Sequence, residues 1–134
     1  MEILNFTKMQ GTGNDFIVIE DLDEKYNDLG VLAKKLCDRH YGIGADGILV
    51  VRRSTIADIQ MIIMNADGSY ASMCGNGIRC FAKYIFEKKY VLGEKIKIET
   101  GDGVKLASIC VFDGVFKGVT INMGKYSFNP INIP

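Results

Sequence analysis

Residues 65–80 read Asn65-Ala66-Asp67-Gly68-Ser69-Tyr70-Ala71-Ser72-Met73-Cys74-Gly75-Asn76-Gly77-Ile78-Arg79-Cys80. The thiol of Cys74 stands where a turn gives way to an apolar helix, and Gly75-Asn76-Gly77 follows it at once. A helix start offers N–H groups outside the intrahelical ladder and the positive end of the dipole, which favour a thiolate and a bound anion. Glycines there let a small ligand come close to the main chain. The grouping points to chemistry on a small carboxylate. An ordinary free thiol is only about 3% ionised at pH 7. A helix start contributes about 0.3–1 kcal/mol, so a substrate ammonium group or a second protein segment must complete such a thiol's activation.

The other candidates carry plainer readings. Cys37, Cys80 and Cys110 fall inside apolar patterns and are expected in the core. Cys74 and Cys80 lie roughly 240° apart around a helix, so they do not chelate together. With no C-x-x-C and His40 as the only histidine, metal binding is not expected. His40 is placed in the last turn of its helix, as a capping or packing residue. Asn14 and Asn65 stand at strand–turn junctions, where asparagine also tolerates unusual φ and ψ. Gly42-Ile43-Gly44-Ala45-Asp46-Gly47 lacks the Lys and Ser/Thr of a phosphate loop and follows a helix instead of a strand, so nucleotide binding is dismissed.

The elements that must position these residues follow from periodicity. Strands are expected at 3–9 and 16–20, with the polar turn Gln10-Gly11-Thr12-Gly13-Asn14-Asp15 between them. Leu29, Leu32, Ala33, Leu36, Cys37 and His40 recur at helical spacing, with Asp28 as N-cap and Gly42 near the stop. Strands are expected again at 47–53, 58–65, 95–100, 104–112 and 118–123, with Asp113-Gly114 turning between the last two. The helix after Cys74 is apolar except for Arg79, Lys83 and Glu87, so it must be buried on several sides. The expected fold is α+β: a mostly antiparallel sheet curled around one central helix, with a smaller helix outside.

At 134 residues, 48% hydrophobic and 24% charged, the chain reads as one soluble domain with a real core. Sixteen basic residues balance sixteen acidic ones, which gives no footprint for nucleic acid or a membrane surface. The longest apolar runs are strand-sized, and the start lacks the pattern of a signal peptide, so a cytosolic protein with reduced cysteines is expected. Both prolines fall within 129–134, as at the start of a linker, which leaves 1–128 as the domain.

Taken together, five segments resemble the N-terminal half of the diaminopimelate epimerase family. They are Lys8-Met9-Gln10-Gly11-Thr12-Gly13-Asn14-Asp15-Phe16, Tyr41-Gly42-Ile43-Gly44-Ala45-Asp46-Gly47, Asn65-Ala66-Asp67-Gly68-Ser69, Met73-Cys74-Gly75-Asn76-Gly77-Ile78-Arg79-Cys80 and Asn122-Met123-Gly124. The resemblance implies a cofactor-independent epimerase that interconverts LL- and meso-diaminopimelate in lysine and cell-wall precursor synthesis. It implies two cysteines, from two similar domains, facing the substrate α-carbon from opposite sides. Cys74 matches the first of the pair, Asn14 and Asn65 match substrate-binding asparagines, and Gly75 and Asn76 match groups holding the reacting carboxylate. Related proline racemases carry His where Asn76 stands, and the phenazine-type isomerases lack the cysteine.

Tyr70 and Ser72 depart from the resemblance where acidic residues are common, as does Gly47 where some members have Gln. The larger departure is the second cysteine-bearing domain, which this chain does not contain. The chain alone is therefore expected to be inactive, with a complementary half or self-association through an apolar face as its partner. Three alternatives stay open: a non-catalytic substrate-binding or interaction module, another amino-acid racemase or isomerase of the same fold, and a thiol redox protein.

Overall fold

The computed structural model describes residues 4–11 and 13–122. Two of its strands set the architecture. β2 (Asn14–Glu20) and β3 (Gly47–Arg52) carry the runs Phe16-Ile17-Val18-Ile19 and Ile48-Leu49-Val50-Val51, all buried. Strands apolar on both faces need cover on both faces. Alternation divides the work. Phe16, Val18, Leu49 and Val51 face one apolar layer, while Ile17, Ile19, Ile48 and Val50 face another. Helix α1 (Leu29–Cys37) covers the second layer and is the crossover that lets β2 and β3 run parallel.

The rest of the sheet grows from this pair. β1 (Thr7–Gly11) pairs antiparallel with β2, and β4 (Ile59–Asn65) antiparallel with β3. The two-residue strand β5 (Tyr70–Ala71) adds to β4. Helix α2 (Gly75–Glu87) follows, and then β6 (Lys95–Thr100), β7 (Gly103–Phe112) and β8 (Val115–Asn122). The order is β1-β2-β3-β4-β6-β7-β8, and only β2–β3 and β4–β6 are parallel among the described strands. The sheet curls about α2, which touches β1 and β8 at the two ends of that order. Ile78, Phe81, Ala82 and Ile85 have no exposed surface. Truncating a buried Phe to Ala costs about 3–5 kcal/mol against a typical stability of about 5–15, so enclosure of α2 ranks among the largest contributions to folding.

Several sequence expectations need correction. Helix α1 ends at Cys37, one turn early, so His40 lies in the following turn and not in the helix. Asp38 turns extended, and its Oδ1 accepts from His40 N at 2.8 Å and Tyr41 N at 2.9 Å. Asp28 does cap the start, accepting from Val31 N at 3.1 Å. Cys37 and Cys80 are buried, but Cys110 is exposed, because Lys105, Ala107 and Ile109 take the inward positions of β7. β8 starts at Val115, directly after Asp113 (φ 56°) and Gly114 (φ 73°), the paired left-handed conformations of a tight hairpin turn. Gln10, Gly11, Asn14 and Asp15 belong to strands, with Gly11 paired to Asn14. The expected linker at 129–134 and the Met123-Gly124 match lie outside the described residues.

The far end of α2 is tied to the sheet by a shared acceptor. Tyr84 and Tyr90 both donate their hydroxyls to the Glu20 carboxylate. Burial first, then the Glu20 contact, pushes Tyr90 up to about 12 and raises Tyr84 as well. The folded state therefore favours the neutral phenols. Their contribution is complete below the ordinary tyrosine value of about 10 and is lost as pH rises from there through the folded-state values. Chemical denaturation should show stability falling between pH ~10 and ~12, with a shallower slope in Tyr90→Phe. An unchanged slope in Tyr90→Phe would remove Tyr90 from the account.

Candidate active site

The enclosed helix delivers its N-terminus to one end of the curled sheet. Cys74 is the N-cap of α2, in an extended conformation (φ −150°, ψ 119°). Its Sγ accepts from Gly77 N at 3.4 Å, while its carbonyl accepts from Ile78 N at 2.9 Å. The N–H groups of Gly75 and Asn76 stand ahead of that first helical bond. The thiol is half-buried and unpaired with any other cysteine. Gly77 packs closely on the sheet: a Cβ there would lie 3.3 Å from Leu49 Cδ2 and 3.4 Å from Cys74 Cβ. Cys74 itself packs against the core layer that includes Leu49.

Strand register brings the asparagines to the same end. Phe16 is level with Gly47, and Gly47 with Asn65, so the start of β2, the start of β3 and the end of β4 coincide. Asn14 reaches α2 directly, accepting at Oδ1 from Asn76 Nδ2 at 2.8 Å. Gly11 permits this approach, since a Cβ there would lie 3.3 Å from Asn76 Cβ. Asn65 is the last residue of β4, and its Nδ2 donates across the following turn to Ser69 Oγ at 2.9 Å. Ser69 donates in turn to Asp67, and its hydroxyl and backbone N–H hold that carboxyl below the usual range. Asn14 and Asn76 are therefore joined directly at the helix end that Cys74 caps, while Asn65 ends the strand paired with β3.

Three contributors had not been singled out from the sequence. Asp46 Oδ2 accepts from Asp15 N at 2.8 Å and from Asn14 Nδ2 at 3.4 Å, and Arg39 bridges Asp46 (3.3 Å) and Asp15 (3.4 Å). The Asp15 backbone N–H first, with the Asn14 amide and Arg39 helping against slight burial, holds Asp46 below the ordinary carboxylate range. The loop dismissed as a phosphate cradle is what delivers Asp46. Its N–H groups turn inward onto α1: Ile43 N and Gly44 N bond Leu36 O at 2.8 and 3.0 Å, and Ala45 N bonds Cys37 O at 3.2 Å. A Cβ on Gly42 would lie 2.2 Å from Lys35 O, so glycine is required for this close approach. An acidic residue in a glycine loop between helix and strand was the available signal.

The surroundings are cationic on one side. A cleft of about 410 Å³ beside Asn76 is lined by Lys8, Arg79 and Lys83, with Gln10 and Phe116. A larger cleft of about 550 Å³ lies at the other end of α2, around Glu20, Tyr84 and Lys88, away from every candidate residue. Among the described residues, no group of three or more His, Cys, Asp or Glu is placed to hold a metal ion, and no helix is long and apolar enough to cross a membrane.

Comparison with known proteins places this arrangement. The family profile described as Diaminopimelate epimerase matches residues 6–129. The chain belongs to the diaminopimelate epimerase family. It is 53% identical over 132 residues to the diaminopimelate epimerase of Clostridium perfringens (strain 13 / Type A), covering 98% of this chain and 48% of that protein. It is 55% identical over 131 residues to that of Caldanaerobacter subterraneus subsp. tengcongensis, covering 98% and 47%. The chain thus spans about half the length of the curated relatives it matches. Among solved structures, a probable proline racemase from Agrobacterium radiobacter K84 with bound carbonate superposes with TM-score 0.71 at 16% identity, covering 89% of this chain and 41% of that one. A hydroxyproline epimerase from Agrobacterium vitis gives TM-score 0.67 at 15% identity, covering 87% and 40%. At such identities the likeness is one of fold.

Tyr70, Ser72 and Gly47 each have close local partners. A Cβ on Gly101 would lie 1.9 Å from Tyr70 Oη and 3.0 Å from Ser72 Cα, so Tyr70 and Ser72 occupy space that glycine leaves open. A Cβ on Gly47 would lie 2.8 Å from Met64 O, so a longer residue there displaces β4. Gly101→Ala should cost about 1–3 kcal/mol by overpacking, read from the urea midpoint, with part recovered when Tyr70→Ala is added. No recovery would separate the two residues.

The four thiols should also differ in reactivity. Burial pushes Cys37 up to about 11 and raises Cys80 as well. Brief treatment of the folded chain with iodoacetamide near pH 7.5 (~0.1 mM reagent) should label Cys74 and Cys110 and spare Cys37 and Cys80. Peptide mapping that finds Cys80 labelled as fast as Cys110 would contradict this burial pattern.

Proposed function

We propose that this chain is the first catalytic half of a diaminopimelate epimerase, acting in the cytoplasm without a cofactor. Cys74 is one of two thiols that exchange a proton at the substrate α-carbon. In one direction its thiolate takes the α-proton and becomes a thiol, and the electron pair left on carbon delocalises into the neighbouring carboxylate. An opposing thiol then delivers a proton to the other face and becomes the thiolate. The N–H groups of Gly75 and Asn76, at the positive end of α2, are aimed where that carboxylate gathers charge. Asn14 and Asn65 orient the rest of the substrate by hydrogen bonds.

The observation that carries this reading is the placement of Cys74: a half-buried N-cap sulfur, 3.4 Å from Gly77 N, beside the Asn14–Asn76 amide pair. The reading also explains why a partner is needed. Epimerisation demands an acid and a base on opposite faces of one carbon, in a site closed to water. Cys37 and Cys80 are buried in the two core layers, and Cys110 projects from the outer face of β7. The opposing thiol must come from a second half.

The test is α-proton exchange of diaminopimelate in D2O. The isolated chain should give none, and addition of a complementary C-terminal half should restore exchange and epimerisation. Cys74→Ala should then lower the restored epimerisation by about 10²–10⁴-fold or more. Turnover by the isolated chain, or full activity of the assembled Cys74→Ala protein, would overturn the proposal. Tight substrate binding with no rescued turnover would favour a binding module.

A further inference from the structure

The hydrogen bonds from Asp46 to α2 have a direction, and that direction has a cause. An ionised carboxylate can only accept, whereas each asparagine amide has a donor end and an acceptor end that could be exchanged by a flip. Asp46 is held in place on several sides. Its backbone N–H bonds Asp15 O at 3.0 Å, its carbonyl accepts from Ala66 N at 2.9 Å, and its carboxylate meets Asp15 N and Arg39. Charged and titratable groups near this carboxylate are Arg39, Asp15 and Cys37, with Lys8 reaching Asp15 at 3.9 Å.

We infer that Asp46, backed by Arg39, is a positioning residue that fixes the orientation of the Asn14 and Asn76 side-chain amides beside Cys74. With Asp46 as a fixed acceptor, Asn14 must turn Nδ2 toward it. Asn14 Oδ1 then faces α2 and receives Asn76 Nδ2 at 2.8 Å. Reversing Asn14 would set its Oδ1 against the carboxylate and its Nδ2 against Asn76 Nδ2, two repulsive contacts in place of two attractive ones. At 3.4 Å the Asn14–Asp46 contact is long for a hydrogen bond. Its sign still decides the orientation, because the reversed amide meets negative charge. The second Asn14 Nδ2 proton then remains a donor for a ligand carboxylate. Two asparagines that are strong ligand groups only in one orientation thus acquire it from a residue two hydrogen bonds away from Asn76. Arg39 keeps the anchor charged and in place.

The consequence for diaminopimelate rests on the function proposed above, whereas the amide orientation does not. The wild-type chain tests the orientation by nuclear Overhauser effects. Asp15 N–H and Asn14 Nδ2–H both point at Asp46 Oδ2, so a cross-peak between them is expected, and its absence would overturn the inference. In Asp46→Asn, whose side chain can accept or donate, the side-chain NH₂ resonances of both Asn14 and Asn76 should move. Movement confined to Asn14 would contradict a relay. Titration with meso-diaminopimelate should show affinity lower by roughly tenfold in Asp46→Asn, and equal affinities would remove Asp46 from ligand positioning. Were the wild-type chain alone to bind no diaminopimelate while both amides responded, the relay would stand, and equal affinities of wild type and Asp46→Asn assembled with a complementary half would remove Asp46 from ligand positioning.

Discussion

Enclosure of helix α2 is the constraint on which the rest of the structure depends. Gly77, Ile78, Cys80, Phe81, Ala82, Tyr84 and Ile85 are buried over roughly 200° of its circumference, and a sheet curled around it excludes water from that span. A helix enclosed along its length still has two ends, and each must satisfy backbone groups that the ladder leaves over. At the C-terminal end, Lys88 N and Lys89 N close back on the carbonyls of Tyr84 and Phe86. At the N-terminal end, one of the N–H groups turns to the sulfur of Cys74. The candidate site is therefore built from the same backbone groups that any buried helix must satisfy.

Around that end, the sheet supplies position and the loops supply polarity. Parallel pairing of β2 with β3 and antiparallel pairing of β3 with β4 bring Phe16, Gly47 and Asn65 level, with Asn14 two residues before Phe16. The α1–β3 loop serves two purposes at once. It closes the carbonyls of α1 with its own N–H groups and carries Asp46 to the amide of Asn14. Stability and site geometry thus share residues. Changes in this loop act on both.

Much of this was legible in the sequence because periodicity records burial. The continuous runs of β2 and β3 and the broad apolar face of α2 are demands for cover that only a few architectures meet. The position of Cys74, Gly75 and Asn76 at the start of that helix was legible for the same reason. What escaped depends on tertiary context. The end of α1 is set by a side-chain turn at Asp38, and the two-residue β5 has no pattern of its own. Cys110 faces outward because β7 alternates, and an alternating strand does not announce which face is inside. Asp46 and Arg39 are ordinary surface charges until folding places them beside Asn14.

The central claim is that Cys74 serves one face of the substrate and a thiol from another half serves the opposite face. The most direct measurement is stereospecific α-proton exchange in D2O by the assembled protein carrying Cys74→Ala, with LL- and meso-diaminopimelate supplied separately. Epimerisation should be lost in both directions, while exchange without inversion survives for only the isomer deprotonated by the remaining thiol. Equal residual exchange with both isomers, or retained epimerisation, would show that Cys74 does not own one face.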